Sequence, residues 1–295
     1  MQKAERTDNN FFKNNYPRRS RNSYKNLNGK VFIVAGSKDM PGAAVLAARA
    51  AYRAGAGFVT VASAQQCRGA LIKAVPEALI LDIQSPKGYL GESALKKIQS
   101  YIKQNKQDII LIGCGLGKGA DITFKLLRSV KTPAVIDADS LNFIAKRGIN
   151  LLTDIPSILT PHEGEIKRLL GDISFNKDTA ALTISDITGG VCLLKGPNTQ
   201  ICFKGRKQIN TSGNEGLAKA GSGDVLAGII AAIWAKLLKN AAEADAREKG
   251  FLAACMGVYL HGFAADLAVK GISKESLTAS DVIAALPVAL KKLLG

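Results

Sequence analysis

Short apolar runs closed by glycine set the rhythm of this chain. Val31, Phe32, Ile33, Val34 and Ala35 form an unbroken apolar stretch ended by Gly36 and Ser37. A strand that is apolar on both sides belongs in a sheet covered on both faces, so this run predicts a buried parallel strand. Residues 42–54 follow with good helix formers and an apolar stripe, and Gly55-Ala56-Gly57 stops them. A second apolar run at 58–62 completes a βαβ unit.

The alternation continues. Strands are predicted at 78–81, 108–112, 134–136 and 157–159, with helices at 92–104, 120–130 and after Asp139. This order predicts an α/β fold with a mostly parallel sheet covered on both faces. Runs at 191–194, 200–203 and 207–210 are separated only by short turns and read as an antiparallel meander. The last third is helical, at 223–238, 246–269 and 280–293, with 241–249 as a flexible surface connection. No internal repeat or domain linker is visible, so residues 28–295 read as one α/β domain behind a polar, basic extension at 1–27.

Composition agrees with a globular chain: of 295 residues, 47% are hydrophobic and 22% charged. The formal net charge of +16 suits polyanionic ligands, yet residues 1–30 hold eight cations against two anions, so much of the excess sits in what reads as a solvated tail. Only 6% of residues are aromatic, too few for base-stacking platforms, and a nucleic-acid module is set aside. No run of about 18 consecutive apolar residues and no N-terminal secretory pattern appears, so a cytoplasmic protein without a membrane partner is expected. Cys67, Cys114, Cys192, Cys202 and Cys255 lack metal-ligand or disulfide spacing and are expected in the core.

In open α/β sheets ligands sit where strands end and helices begin, because the free N–H groups and helix dipole there attract anions. Gly221-Ser222-Gly223-Asp224 before the helix at 225–230 is the strongest such turn. Its glycines permit close backbone approach to a phosphate, and Asp224 can take a proton from a hydroxyl attacking phosphorus; alternatively, Asp224 only caps the helix. Gly113-Cys114-Gly115-Leu116-Gly117 follows a strand but lacks the full dinucleotide fingerprint, and no phosphate-loop GxxxxGK[ST] is present. Asp137-Ala138-Asp139 ends a strand with two carboxylates suited to Mg²⁺ or to orienting a hydroxyl. His162 stands at a helix start between Pro161 and Glu163, whereas His261 lies among apolar helix residues and reads as core. Lys195, just past a strand, can reach a phosphate as a point charge.

Pro41-Gly42-Ala43-Ala44, Gly113 to Gly117, Asp137-Ala138-Asp139-Ser140-Leu141-Asn142, Leu159-Thr160-Pro161-His162-Glu163-Gly164-Glu165, Leu194-Lys195-Gly196 and Gly213-Asn214 through Asp224 occur in that order. Taken together they resemble the ADP/ATP-dependent NAD(P)H-hydrate dehydratases, over residues 28–292. The resemblance implies a ribokinase-like fold, a three-layer α/β/α sandwich with a mostly parallel central sheet, and a repair activity. A nucleoside phosphate converts the ring hydroxyl of the 6-hydroxy hydrates NADHX and NADPHX into a phosphate leaving group, which is eliminated to restore NAD(P)H. It implies Asp224 as general base at the substrate hydroxyl. Ala43, Gly115, Gly117 and His162 are the implied hydrate-binding positions, and Lys195, Gly196, Pro197, Asn198, Thr199 and Gly223 hold the adenylate of ADP or ATP. Mg²⁺ is implied as a cofactor with no ligands assigned, ADP is favoured as donor, and the assembly implied is a homo-oligomer, a tetramer. Cys114, Glu163 and Lys219 depart from the family pattern, Lys219 placing extra positive charge beside the expected phosphates. A chain with so short an extension is expected to dehydrate and not to epimerise. The alternative is a ribokinase-like kinase of a small alcohol or vitamin precursor.

Overall fold

A computed structural model of the chain describes residues 5–240 and 245–295. In chain order the regular elements are β1 (Glu5–Arg6), α1 (Asn9–Asn15), β2 (Lys30–Val34), α2 (Pro41–Arg53), β3 (Phe58–Ala62), α3 (Arg68–Ala74) and β4 (Leu79–Leu81). They continue with α4 (Glu92–Asn105), β5 (Ile109–Ile112), α5 (Thr123–Val130), β6 (Ala134–Ile136), α6 (Ala138–Arg147), β7 (Ser157–Leu159), α7 (Glu163–Leu170) and α8 (Ala180–Thr188). The last are β8 (Val191–Leu194), β9 (Thr199–Phe203), β10 (Arg206–Asn210), α9 (Ser222–Asn240), α10 (Ala246–Ala268) and α11 (Ala279–Leu294).

The strands form one sheet in the order β1-β10-β9-β8-β7-β6-β5-β2-β3-β4. Strands β8 through β4 in that order run parallel, while β8, β9 and β10 pair antiparallel as the close spacing predicts. Successive side chains point to opposite faces, so each apolar strand feeds two cores. Val31 and Ile33 of β2 join Ile109 and Leu111 of β5 on one face, under α2, α9, α10 and α11. Phe32 and Val34 join Ile110 and Ile112 on the other, under α4 to α8. The expected three-layer sandwich is therefore present.

The first-face helices pack closely because their contacts are small. A Cβ on Gly228 of α9 would lie 2.3 Å from the Ala47 carbonyl oxygen, and α2 presents buried Ala44, Ala47, Ala48 and Ala51 toward the same core. α10 is the one helix among the described residues long and apolar enough to cross a membrane, but 67% of its window is buried, against α9 and α11. It reads as a core helix.

The basic extension departs from the expected solvated tail. Phe12 is fully buried, stacks on Tyr16 at 5.1 Å and packs near Tyr259, while β1 pairs with the edge strand β10. Phe12 on α1 and Tyr16 at its C-cap, four residues apart, outweigh the surrounding charge. The connection at 241–249 falls partly outside the described residues, and its last part, from Ala246, already belongs to α10. α3 and α8 are further elements that the sequence pattern did not single out.

Candidate active site

The chain runs from β2 outward to β4, then returns to β5 beside β2 and proceeds the other way to β8. The reversal opens a crevice at the carboxyl ends of β2 and β5, the place where ligands bind in such sheets. Gly36, the Gly113–Gly117 turn, Asp137, Thr160 and Lys195 all follow the strands at this end. The first turn of α9 delivers Asp224 to it.

At the centre Lys195 Nζ lies 2.8 Å from Asp137 Oδ1 and 3.7 Å from Glu165 Oε2. Thr160 Oγ1 donates to the same Asp137 oxygen at 2.7 Å. A Cβ built on Gly223 would come within 3.5 Å of Lys195 Nζ and 3.6 Å of Asp137 Oδ2, so glycine keeps the start of α9 open beside this pair. Burial lowers the Lys195 pKa, but the charges of Asp137 and Glu165 outweigh it and hold the ammonium above its ordinary value. Asp224 shows the opposite balance: burial, then the Asp137 charge, push its carboxyl from 3.8 up to about 6. A half-buried carboxyl poised near neutrality beside a fixed cation is suited to proton transfer.

Gly113 makes the Asp137 turn possible, because a Cβ there would overlap the Asp137 carbonyl oxygen at 1.8 Å. Ala138 takes a φ of +49°, strain held at the start of α6 between the two carboxylates. Asp139 Oδ2 accepts from Gly117 N–H at 2.7 Å and so ties the glycine turn to α6.

Of the expected hydrate positions, Ala43 and Gly115 come together: a Cβ on Gly115 would lie 2.7 Å from that of Ala43. Gly117 borders an open cleft of about 480 Å³ shared with Asp139, Asn142 and Arg168. His162 Nδ1 caps α7 by accepting from Gly164 and Glu165 N–H at 3.0 and 3.3 Å, and its side chain is half-exposed at the rim. Of the expected nucleotide positions, Lys195 and Gly223 reach the centre, whereas Gly196, Pro197 and Asn198 form an exposed turn before Thr199, whose hydroxyl donates to the Gly196 carbonyl. Lys219 directs its ammonium to the Glu275 carbonyl oxygen, so that cation has a partner away from Asp224.

Three groups acquire a place that the residue types alone did not assign. Glu165 and Thr160 complete the Lys195–Asp137 cluster, and the only sequence signal for them was their position just past a strand end. Cys114 is buried as expected, but its Sγ lies 3.9 Å from Asp137 Oδ2, and burial followed by the Asp224 charge raises its pKa well above the ordinary thiol value. All five cysteines are buried, as expected. His261 is buried too: desolvation, then the Lys195 charge, pull its pKa down to about 4, and its Nε2 sits 3.4 Å from Ser222 Oγ.

Cys114, Asp137 and Asp224 bring ligand atoms within 4.8 Å of one another. The two carboxylates fit a hard cation such as Mg²⁺, which takes one or two carboxylates together with substrate phosphates. A protonated thiol does not fit it.

Known proteins are similar to this chain over most of its length. A family model described as NAD(P)H-hydrate dehydratase matches residues 31–287. The chain is similar to a bifunctional NAD(P)H-hydrate repair enzyme of Moorella thermoacetica, with 38% identity over 94% of this chain and 52% of that protein. It is similar at 33% identity to another from Vibrio cholerae, over 90% and 50%. The chain spans about half the length of the curated relatives it matches. An ADP/ATP-dependent NAD(P)H-hydrate dehydratase of Bacillus subtilis, crystallised with ATP and Mg²⁺, superposes with a TM-score of 0.82 at 28% identity, over 99% of this chain and 100% of that one. A ribokinase-like protein of Enterococcus faecalis shares the fold with a TM-score of 0.82 at 24% identity.

Proposed function

The chain belongs to the NAD(P)H-hydrate dehydratase family, and from that premise we propose that it dehydrates the 6-hydroxy hydrates of NADH and NADPH at the expense of ADP or ATP. The observation that carries this reading is Asp224, raised to about 6 at the mouth of a glycine-lined helix start beside the Lys195–Asp137 pair. Asp224 takes the proton of the ring hydroxyl as its oxygen attacks the terminal phosphorus. The new O–P bond forms while the donor's phosphoanhydride bond breaks. Phosphate, a far better leaving group than hydroxide, then departs with the ring C–O electrons, and loss of a neighbouring ring proton restores the double bond.

Lys195 keeps a positive charge where phosphate oxygens arrive, and its partners Asp137 and Glu165 fix its position. The backbone around Gly223 and the 195–199 turn receives the adenylate. Ala43, Gly115, Gly117 and His162 flank the hydrate. Asp137 would hold Mg²⁺ together with the donor's phosphates, leaving Asp224 to the hydroxyl, and that ion would supply neutralisation of phosphate charge. The same reading takes the protein as cytoplasmic and homo-oligomeric, a tetramer, with ADP as preferred donor and no nucleic-acid or membrane partner.

The test is to incubate the purified protein with NADHX or NADPHX and each nucleotide. Recovery of reduced nicotinamide absorbance with stoichiometric inorganic phosphate is the expected result. A stable phosphoester in place of recovered NAD(P)H would instead make the protein a kinase, and no reaction with any donor would remove the proposal.

A further inference from the structure

The cleft beside Gly117 is wider than a nicotinamide ring needs. It lies along the ends of β5, β6 and β7, and its walls carry the exposed cations Lys118, Lys146 and Arg168. Three helix-borne segments contribute one cation each: the turn after Gly117, the last turn of α6, and α7. Among the described residues Lys118 and Lys146 make no hydrogen bond or ion pair, and Arg168 only donates from Nε to Asn142 Oδ1 at 2.8 Å, leaving its terminal amino groups to the cleft. The opposing carboxylates are Asp121 and Asp139, and Asp139 already accepts from Gly117 N–H.

Unpaired cations converging on one concavity from separate elements are the usual receptor for phosphate. Two phosphate-bearing molecules enter the reaction, and topology separates them. The expected donor residues, Lys195 to Thr199 and Gly223, lie past β8 and at the start of α9, on the far side of Asp137 from Lys118. Gly117 and Asp139, by contrast, border the cleft directly, and the Asp139 charge is felt at Asp224. A dinucleotide hydrate with its ring at Asp224 and Gly115 would therefore extend past Gly117 into the cleft.

We infer that Lys118, Lys146 and Arg168 form a specificity subsite for the phosphate groups of the dinucleotide hydrate, distinct from the nucleotide-donor site. This rests on the proposed dehydratase reading. The subsite lets the enzyme hold the whole dinucleotide, so that a hydrated nicotinamide mononucleotide would be a poorer substrate.

Lys118→Ala and Lys146→Ala test it, because both side chains are exposed and their loss leaves no buried group unpaired; Lys97→Ala on α4, outside the cleft, is the control. Each cleft variant should raise the KM for the hydrate roughly tenfold, as expected for a lost hydrogen bond to a charged group, while the KM for the nucleotide donor stays put. A larger rise with NADPHX than with NADHX assigns the 2′-phosphate, and an equal rise assigns the pyrophosphate. NADPH binding followed by nicotinamide fluorescence supplies a readout independent of turnover. If the wild type turns over neither hydrate yet binds NADPH in a Lys118- and Lys146-dependent way, the dehydratase reading falls and the subsite stands. Unchanged hydrate KM and NADPH affinity in both variants, or a rise confined to the donor KM, overturns the subsite.

Discussion

Asp224 carries two opposite pH dependences. Its folded carboxyl is raised from 3.8 to about 6, so the base becomes available, and turnover should climb, as pH rises through about 6. Stability runs the other way. The folded chain holds this proton more tightly than the unfolded one, so the contribution is complete below 3.8 and is lost as pH rises through about 6. At neutral pH the ionised carboxylate then costs on the order of 1–3 kcal/mol. Asp224→Asn keeps the size and removes both effects. Turnover is expected to fall by roughly 10² to 10⁴, with a thermal midpoint at or above that of the wild type. Asp224 lies in the first turn of α9, not at its cap, and a variant with full activity would leave it only a carboxylate that favours the helix dipole.

At the scale of elements, the approach of α2 and α9 depends on the missing side chain of Gly228. Ala is the better helix former by about 1 kcal/mol, yet its Cβ would press on the Ala47 carbonyl at 2.3 Å, and backbone cannot step aside as a flexible side chain can. Overpacking of this kind costs about 1–3 kcal/mol, so Gly228→Ala should lower the urea midpoint. Gly69→Ala in α3 meets nothing within 4 Å and should raise it slightly. Two equal midpoints would mean that the helix pair relaxes freely. The same scale shows why some elements escaped the sequence reading. α8 contains Thr183, Ile184, Ile187 and Thr188, β-branched residues that disfavour helix, and tertiary packing under β8 and β9 overrides them. β1 spans two residues and exists only through pairing with β10.

Over the whole molecule, residues 5–16 of the N-terminal extension are part of the fold. Phe12 is buried in the first-face core with Tyr16, and Tyr16 donates its hydroxyl to the Ala54 carbonyl at 2.9 Å. Phe12→Ala should cost about 3 kcal/mol, as truncation of a buried aromatic does, read as a drop in denaturation midpoint. No change would return the segment to a solvated tail. The charge count misled here because it averages over residues, whereas docking needs only two apolar side chains four residues apart.

The sequence by itself determined the order of β2 to β10 and of most of the helices between and after them, the antiparallel β8–β10 meander and the chemistry available at each strand end. Those are local properties, written in runs of a few residues: apolar blocks, glycine stops and the carboxylates of Asp137 and Asp224. Only the tertiary structure decided which strand ends share a crevice. Lys195 and Asp137 are 58 residues apart in the chain, and nothing in either neighbourhood states that they pair. Their meeting follows from the reversal of strand order at β2 and β5 and from α9 laying its first turn across the sheet. The raised carboxyl of Asp224, the place of Glu165 and Cys114, and the three cations around one cleft are consequences of that convergence, because burial and Coulomb interactions depend on distances that the folded sheet alone sets.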